Sequence, residues 1–122
     1  MQLFDSSTLI FISLIHFLAD FALQTHDQAT NKSKSNRWLF YHVGVYSLIW
    51  LIAIVAYGYS FDTAFIFSSI TLVAHFATDW ITSRIGKPFW EKNDYHNGFV
   101  VIGFDQLLHF IQLIYCWEYI IM

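Results

Sequence analysis

Hydrophobic and polar positions segregate on a coarse scale along this chain: four long apolar stretches are parted by short polar interruptions. The stretches cover residues 7–23, 38–61, 63–85 and 99–121. Each is close to the roughly 20 residues that a helix needs to cross the hydrocarbon core of a bilayer. A Ser/Thr-rich start suits capping of the first. Residues 25–37 (THDQATNKSKSNR) separate the first pair and residues 86–97 (GKPFWEKNDYHN) the last pair, while only a tight turn at 58–62 joins the second to the third. Pro88 is expected to end the third helix, because a proline inside a helix forfeits a backbone hydrogen bond. Trp38, Tyr57, Tyr59, Trp90 and Tyr95 fall near the helix ends, where interfacial aromatics sit. The pattern predicts an all-α fold: one integral-membrane domain over residues 1–122, with four transmembrane helices in an up-down-up-down bundle.

Composition strengthens that expectation. The chain is 57% hydrophobic and 20% aromatic, with 12% charged residues, against roughly 25% charged in an ordinary globular domain. A soluble protein this small has a large surface to cover and needs more charge to do it. A multi-pass protein of the inner (cytoplasmic) membrane is expected, with the lipid bilayer as its partner. No cleavable signal peptide is expected, since the N-terminus lacks a basic region and a small-residue cleavage site. The lone Cys116 has no partner for an internal disulfide. A net charge of −3, without a basic stripe, gives no reason to expect a nucleic-acid partner.

Charge placement predicts orientation. Lys32, Lys34 and Arg37 lie in or beside the first connection, and Arg84, Lys87 and Lys92 in or beside the third. The opposite ends carry Asp5, Asp62 and Glu118 instead. The positive-inside rule then puts both long connections in the cytoplasm and both termini outside it.

Three strings inside the apolar stretches carry candidate chemistry: HFLAD at 16–20, HFATD at 75–79 and DQLLH at 105–109. Each pairs a histidine with an aspartate four residues away, so both share one helix face. Ionisable residues are expensive within a membrane and point to function there. The third string reverses the first two, which suits a helix running the opposite way. In the expected topology all three pairs, with His42, fall in the cytoplasmic half within roughly 10 Å of depth at 1.5 Å per residue. HFLADFALQ and HFATDWITS also align as a weak internal duplication of the parallel type.

Several carboxylates cannot all stay ionised in a dry pocket without a counter-charge, and a divalent cation supplies one while binding imidazole directly. His16, Asp20, His75, Asp79, Asp105 and His109 are therefore expected as ligands of one or two divalent ions (Zn, Mn or Fe). His42 is expected as a further ligand or a general base, and Gln24 and Gln106 as groups that bind substrate or water. The competing reading is a purely structural network of hydrogen bonds between helices. Tyr46 is expected to pack, and His26 and His96 to be solvated.

At these residues a resemblance emerges. His16, Asp20 and Gln24, then His42, then His75 and Asp79, then Asp105, Gln106 and His109 follow a pattern that resembles domain-of-unknown-function family 3307, over nearly the whole chain. That family groups small multi-span membrane proteins of bacteria and phages, so the resemblance implies a membrane protein and this site, without naming a reaction. The chain departs from the family pattern in carrying Thr82 and Ser83 where the family has a lysine one turn after the second aspartate.

Two-metal centres suit hydrolysis because they stabilise both attacking and leaving oxygens. The expected function is metal-dependent hydrolysis of a phosphoester or lipid-linked substrate reaching the site from the cytoplasmic side, in a monomer or homo-oligomer. Two alternatives belong to other classes. One is a proton or metal transporter using the same groups as a relay; the other is a non-enzymatic membrane protein, holin-like or a regulatory subunit.

Overall fold

The computed structural model describes residues 4–23, 25 and 31–122, and among them the chain is helical without a strand. Helix α1 (Ser6–Phe17) runs on into a π-helical turn, Leu18–Ala22. It is followed by α2 (Asn36–Ala56), α3 (Phe61–Glu91) and α4 (Tyr95–Cys116), the last continuing into a second π-helical turn, Trp117–Ile121. Helix α3 is the spine of the bundle, packed along both α2 and α4, while α1 leans on α2 chiefly through its π turn.

Helix starts obey local chemistry. Asp5 accepts from the Thr8 backbone N–H at 2.7 Å, and this bond holds its carboxyl below the ordinary aspartate value. Ser60 and Asp94 cap α3 and α4 in the same way, through the backbone N–H groups of Thr63 and Asn97. The two tight turns between helices each contain a left-handed residue, Gly58 (φ 113°) and Asn93 (φ 59°), the residue types that tolerate it.

One expectation is corrected. Pro88 does not end α3, which continues to Glu91, so the expected connection over residues 86–97 shrinks to residues 92–94. One forfeited bond in the last turns of a 31-residue helix is offset by packing beyond it. Trp90 lies flat on Gly98, where an added Cβ would meet the indole at 2.8 Å, and stands edge-on to Phe99 at 5.2 Å. The helices that are long and apolar enough to cross a membrane are Asn36–Ala56, Phe61–Glu91 and Tyr95–Ile121, of 21, 31 and 27 residues. Ser6–Ala22 is apolar but shorter, about 25 Å at 1.5 Å per residue.

The bundle is inverted relative to a water-soluble one. Ile10, Phe17, Ile52, Val73, Phe99 and Leu107 face outward, each more than half exposed. The interior holds His16, His42, His75 and His109 together with Asp20, Asp79 and Asp105. An apolar exterior around a polar interior suits a lipid surround. The inside divides by depth. Toward the N-terminal end of α1, an apolar plug of Ile12, Trp50, Ile54, Phe67, Leu113 and Trp117 fills the bundle. The ionisable residues fill the other half, where α1 ends and α2 begins.

Candidate metal centre

Every helix contributes to the polar half. His16 and Asp20 come from α1 and its π turn, His42 from the first part of α2, His75 and Asp79 from the middle of α3, and Asp105 and His109 from α4. None of these seven is more than 8% exposed. The switch to i→i+5 bonding, marked by Leu23 N–H on the Leu18 carbonyl at 2.9 Å, falls on the segment carrying Asp20. Such π turns are frequent at functional sites.

Four of the seven form a compact cage. His42 Nε2 lies 3.0 Å from Asp20 Oδ1, 3.2 Å from His75 Nε2 and 3.3 Å from Asp79 Oδ2. His75 Nε2 lies 3.5 Å from Asp20 Oδ1 and 3.4 Å from Asp79 Oδ2. These are five of the six edges of a tetrahedron, and the ligand atoms of all four residues lie within 4.8 Å of one another. The centre of a regular tetrahedron with such edges is about 1.8–2.1 Å from its corners, which reaches zinc–nitrogen and zinc–oxygen bond lengths at the longer edges. Hydrogens serve the cage less well. Nδ1 of His42 and of His75 has no hydrogen-bond partner among the described residues, so each ring turns only Nε2 on a polar group. Two Nε2 hydrogens satisfy two of the five contacts; one cation meets all four lone pairs.

A second group adjoins the first. His109 Nε2 lies 3.0 Å from Asp79 Oδ1 and 3.1 Å from Asp105 Oδ2. Asp20, Asp105 and His109 also bring their ligand atoms within 4.8 Å of one another. The Thr82 hydroxyl donates to Asp105 Oδ1 and so orients that carboxylate. Ring stacking fixes the imidazoles, with Tyr46 on His75 at 3.9 Å and His75 on His109 at 4.1 Å.

His16 stands one step back from the cage, 3.7 Å from Asp20 Oδ2. Its Nε2 donates to Gln106 Oε1 at 2.6 Å, which leaves Nδ1 to accept from the Tyr46 hydroxyl at 2.8 Å. Gln106 Nε2 in turn donates to Asp20 Oδ2 at 2.9 Å and to Asp105 Oδ2 at 3.1 Å. The opposite amide orientation would set its oxygen against two carboxylates, so the network fixes the direction of every bond in the chain.

One charge was not legible in the sequence as part of the site. Lys32, from the connection before α2, reaches Asp79 Oδ2 at 3.4 Å with 23% of its side chain exposed. Burial alone pushes its ammonium down, but Asp79, Asp20 and Asp105 together outweigh that and hold it above the ordinary lysine value. It offsets one of three carboxylate charges. Beside it a cavity of about 680 Å³ opens between the ends of α1 and α3 and the start of α4. Asp20, Asp79 and Asp105 lie on its inner side, and Lys32, Lys34 and Lys87 also line it. Phe21, Trp90 and Val101 make an apolar wall.

The structure thus brings together His16, Asp20, His42, His75, Asp79, Asp105, Gln106 and His109. Gln24 and His26 lie outside the described residues, and His96 is exposed at the start of α4. Tyr46 packs as expected but also holds His16, while Lys32 and Thr82 were missed. Thr82 lies three residues past Asp79, a spacing that puts both on one face of α3 and was the available signal.

No curated protein and no solved structure matches the chain. The sequence model of the family described as "Protein of unknown function (DUF3307)" matches residues 8–122, nearly the whole length, and the protein belongs to that family.

Proposed function

We propose that this is an integral membrane protein whose buried His/Asp cluster binds a divalent metal ion and hydrolyses a phosphoester or lipid-linked substrate. The observation that carries the reading is the cage of Asp20, His42, His75 and Asp79, whose edges of 3.0–3.5 Å suit a single cation. Charge is compatible with it: with the imidazoles neutral, the three carboxylates against the Lys32 ammonium leave a net negative charge that divalent charge offsets. The adjoining cavity joins cationic Lys32, Lys34 and Lys87 to an apolar wall, which suits an anionic headgroup on a hydrophobic tail. The clustering of Lys and Arg supports a cytoplasmic position for this half of the bundle.

In the hydrolysis, a water oxygen forms the new bond to phosphorus, the ester P–O bond breaks, and a proton passes to the departing alcohol. Asp20, His42, His75 and Asp79 would hold a cation, which would supply Lewis acidity at the phosphoryl oxygens. Gln106 fixes Asp20 and Asp105, and Lys32 would face the anionic substrate. The apolar plug of Trp50, Phe67, Leu113 and Trp117 on the far side disfavours the transport reading, which needs a polar path through the bundle.

The test is metal analysis of detergent-purified protein, with phosphate release from p-nitrophenyl phosphate and from a phosphorylated lipid. Stoichiometric metal and chelator-sensitive release, both lost in Asp79→Asn, are expected. Protein that takes up no zinc, manganese or iron at neutral pH refutes the metal reading. Metal-loaded protein that releases phosphate from neither substrate refutes hydrolysis.

A further inference from the structure

Resting on the metal reading above, we infer that the cluster is a dinuclear centre in which Asp79 and Asp20 each bridge two divalent ions. The argument is in how the two carboxylates are used. Asp79 turns Oδ2 toward His42 and His75 and Oδ1 toward His109, so its oxygens serve opposite groups of imidazoles. Asp20 does likewise: Oδ1 faces His42 and His75, while Oδ2 meets the Gln106 amide that also binds Asp105. The first ion takes the four-residue cage. The second lies among Asp79 Oδ1, His109 Nε2, Asp105 Oδ2 and Asp20 Oδ2.

His109 Nε2 lies 3.0 and 3.1 Å from two carboxylate oxygens, the edge that cis ligands make around an octahedral divalent ion with bonds of about 2.1 Å. Carboxylates bridging in this way hold two ions about 3.5–4 Å apart, the spacing at which both attacking and leaving oxygens of a phosphoester are stabilised. Charge agrees with an anionic substrate. Two divalent ions and Lys32 against Asp20, Asp79 and Asp105 leave two positive charges, which a hydroxide and a phosphoester monoanion offset. Thr82 and Gln106 fit the same scheme, because each fixes an oxygen of Asp105 and leaves a lone pair of Oδ2 for the ion.

Manganese(II) is the probe, since two ions sharing carboxylate bridges are magnetically coupled and a lone ion is not. Apo protein in detergent is loaded with manganese, freed of excess, and read by elemental analysis and electron paramagnetic resonance. Two ions per chain with a coupled signal are expected. One ion per chain with an uncoupled six-line signal overturns the dinuclear centre while leaving a metal site, and no ion overturns both readings. His109→Gln and Asp105→Asn, checked for helicity and monodispersity, should each fall to one uncoupled ion. Two coupled ions in a folded form of either variant would overturn this ligand assignment.

Discussion

Tyr46→Phe is the most informative single change, because it removes one oxygen atom and leaves the ring. The hydroxyl is fully buried and donates to His16 Nδ1 at 2.8 Å, while the ring stacks on His75 at 3.9 Å and stays in place. Without the hydroxyl, the His16 Nδ1 lone pair loses its donor in a site that is 2% exposed. Leaving such a group unpaired costs about 1–3 kcal/mol. The effect extends further, since His16 holds Gln106 and Gln106 holds both Asp20 and Asp105. Partners that orient metal ligands typically contribute about 10–100-fold to affinity, so zinc should dissociate from Tyr46→Phe at least about tenfold more readily. Competition with a chromophoric chelator reads the affinity, and thermal unfolding in the same detergent reads the stability. Gln106→Leu breaks the same chain further along, and the double variant should lose less than the sum of the two. Non-additivity of about 0.5–3 kcal/mol is expected for residues in one network. Zinc affinity unchanged within twofold in Tyr46→Phe, or strict additivity with Gln106→Leu, would refute the relay.

Lys32→Met should tighten divalent-ion binding about tenfold, because it removes an ammonium 3.4 Å from a cage oxygen, an effect tempered by its 23% exposure; isothermal titration that finds weaker binding refutes the repulsion. Gly98→Ala drives a methyl to within 2.8–3.1 Å of three Trp90 ring atoms, and this overpacking should cost about 1–3 kcal/mol in a thermal melt. A fusion at Met122 should be active with a periplasmic phosphatase and dark with a cytoplasmic fluorescent reporter; the reverse pattern overturns the orientation.

What the sequence made legible, it did through spacing. His16/Asp20, His75/Asp79 and Asp105/His109 each sit four apart, so the helix period alone puts each pair on one face. Reversal of the third pair followed from α4 running against α3, and the stack of His75 on His109 is the packed consequence. The four helices were equally legible, because apolar stretches of that length have few alternatives. The missing parts depend on tertiary contact. Lys32 sits in a polar connection where nothing local distinguishes it from Lys34, and only the fold brings it to Asp79. Tyr46 looks like any aromatic one turn from His42; its second role exists because α1 brings His16 within reach of its hydroxyl. Pro88 misled for a related reason: local propensity says stop, and the packing of Trp90 on Gly98 carries α3 further.

The charges separate a structural network from a metal centre more sharply than the geometry does. A network needed only to join helices is better made from neutral groups, since each buried charge carries a desolvation cost that pairing repays only in part. Here, among the described residues, three buried carboxylates share one ammonium, and four imidazoles are packed around them. The Gln106 amide has its hydrogens on two of those carboxylates, which strengthens them as anions. Helix joining does not call for an arrangement that concentrates negative charge in this way. Cation binding accounts for that concentration: the carboxylates supply the field, and the imidazoles can present Nε2 lone pairs to its centre.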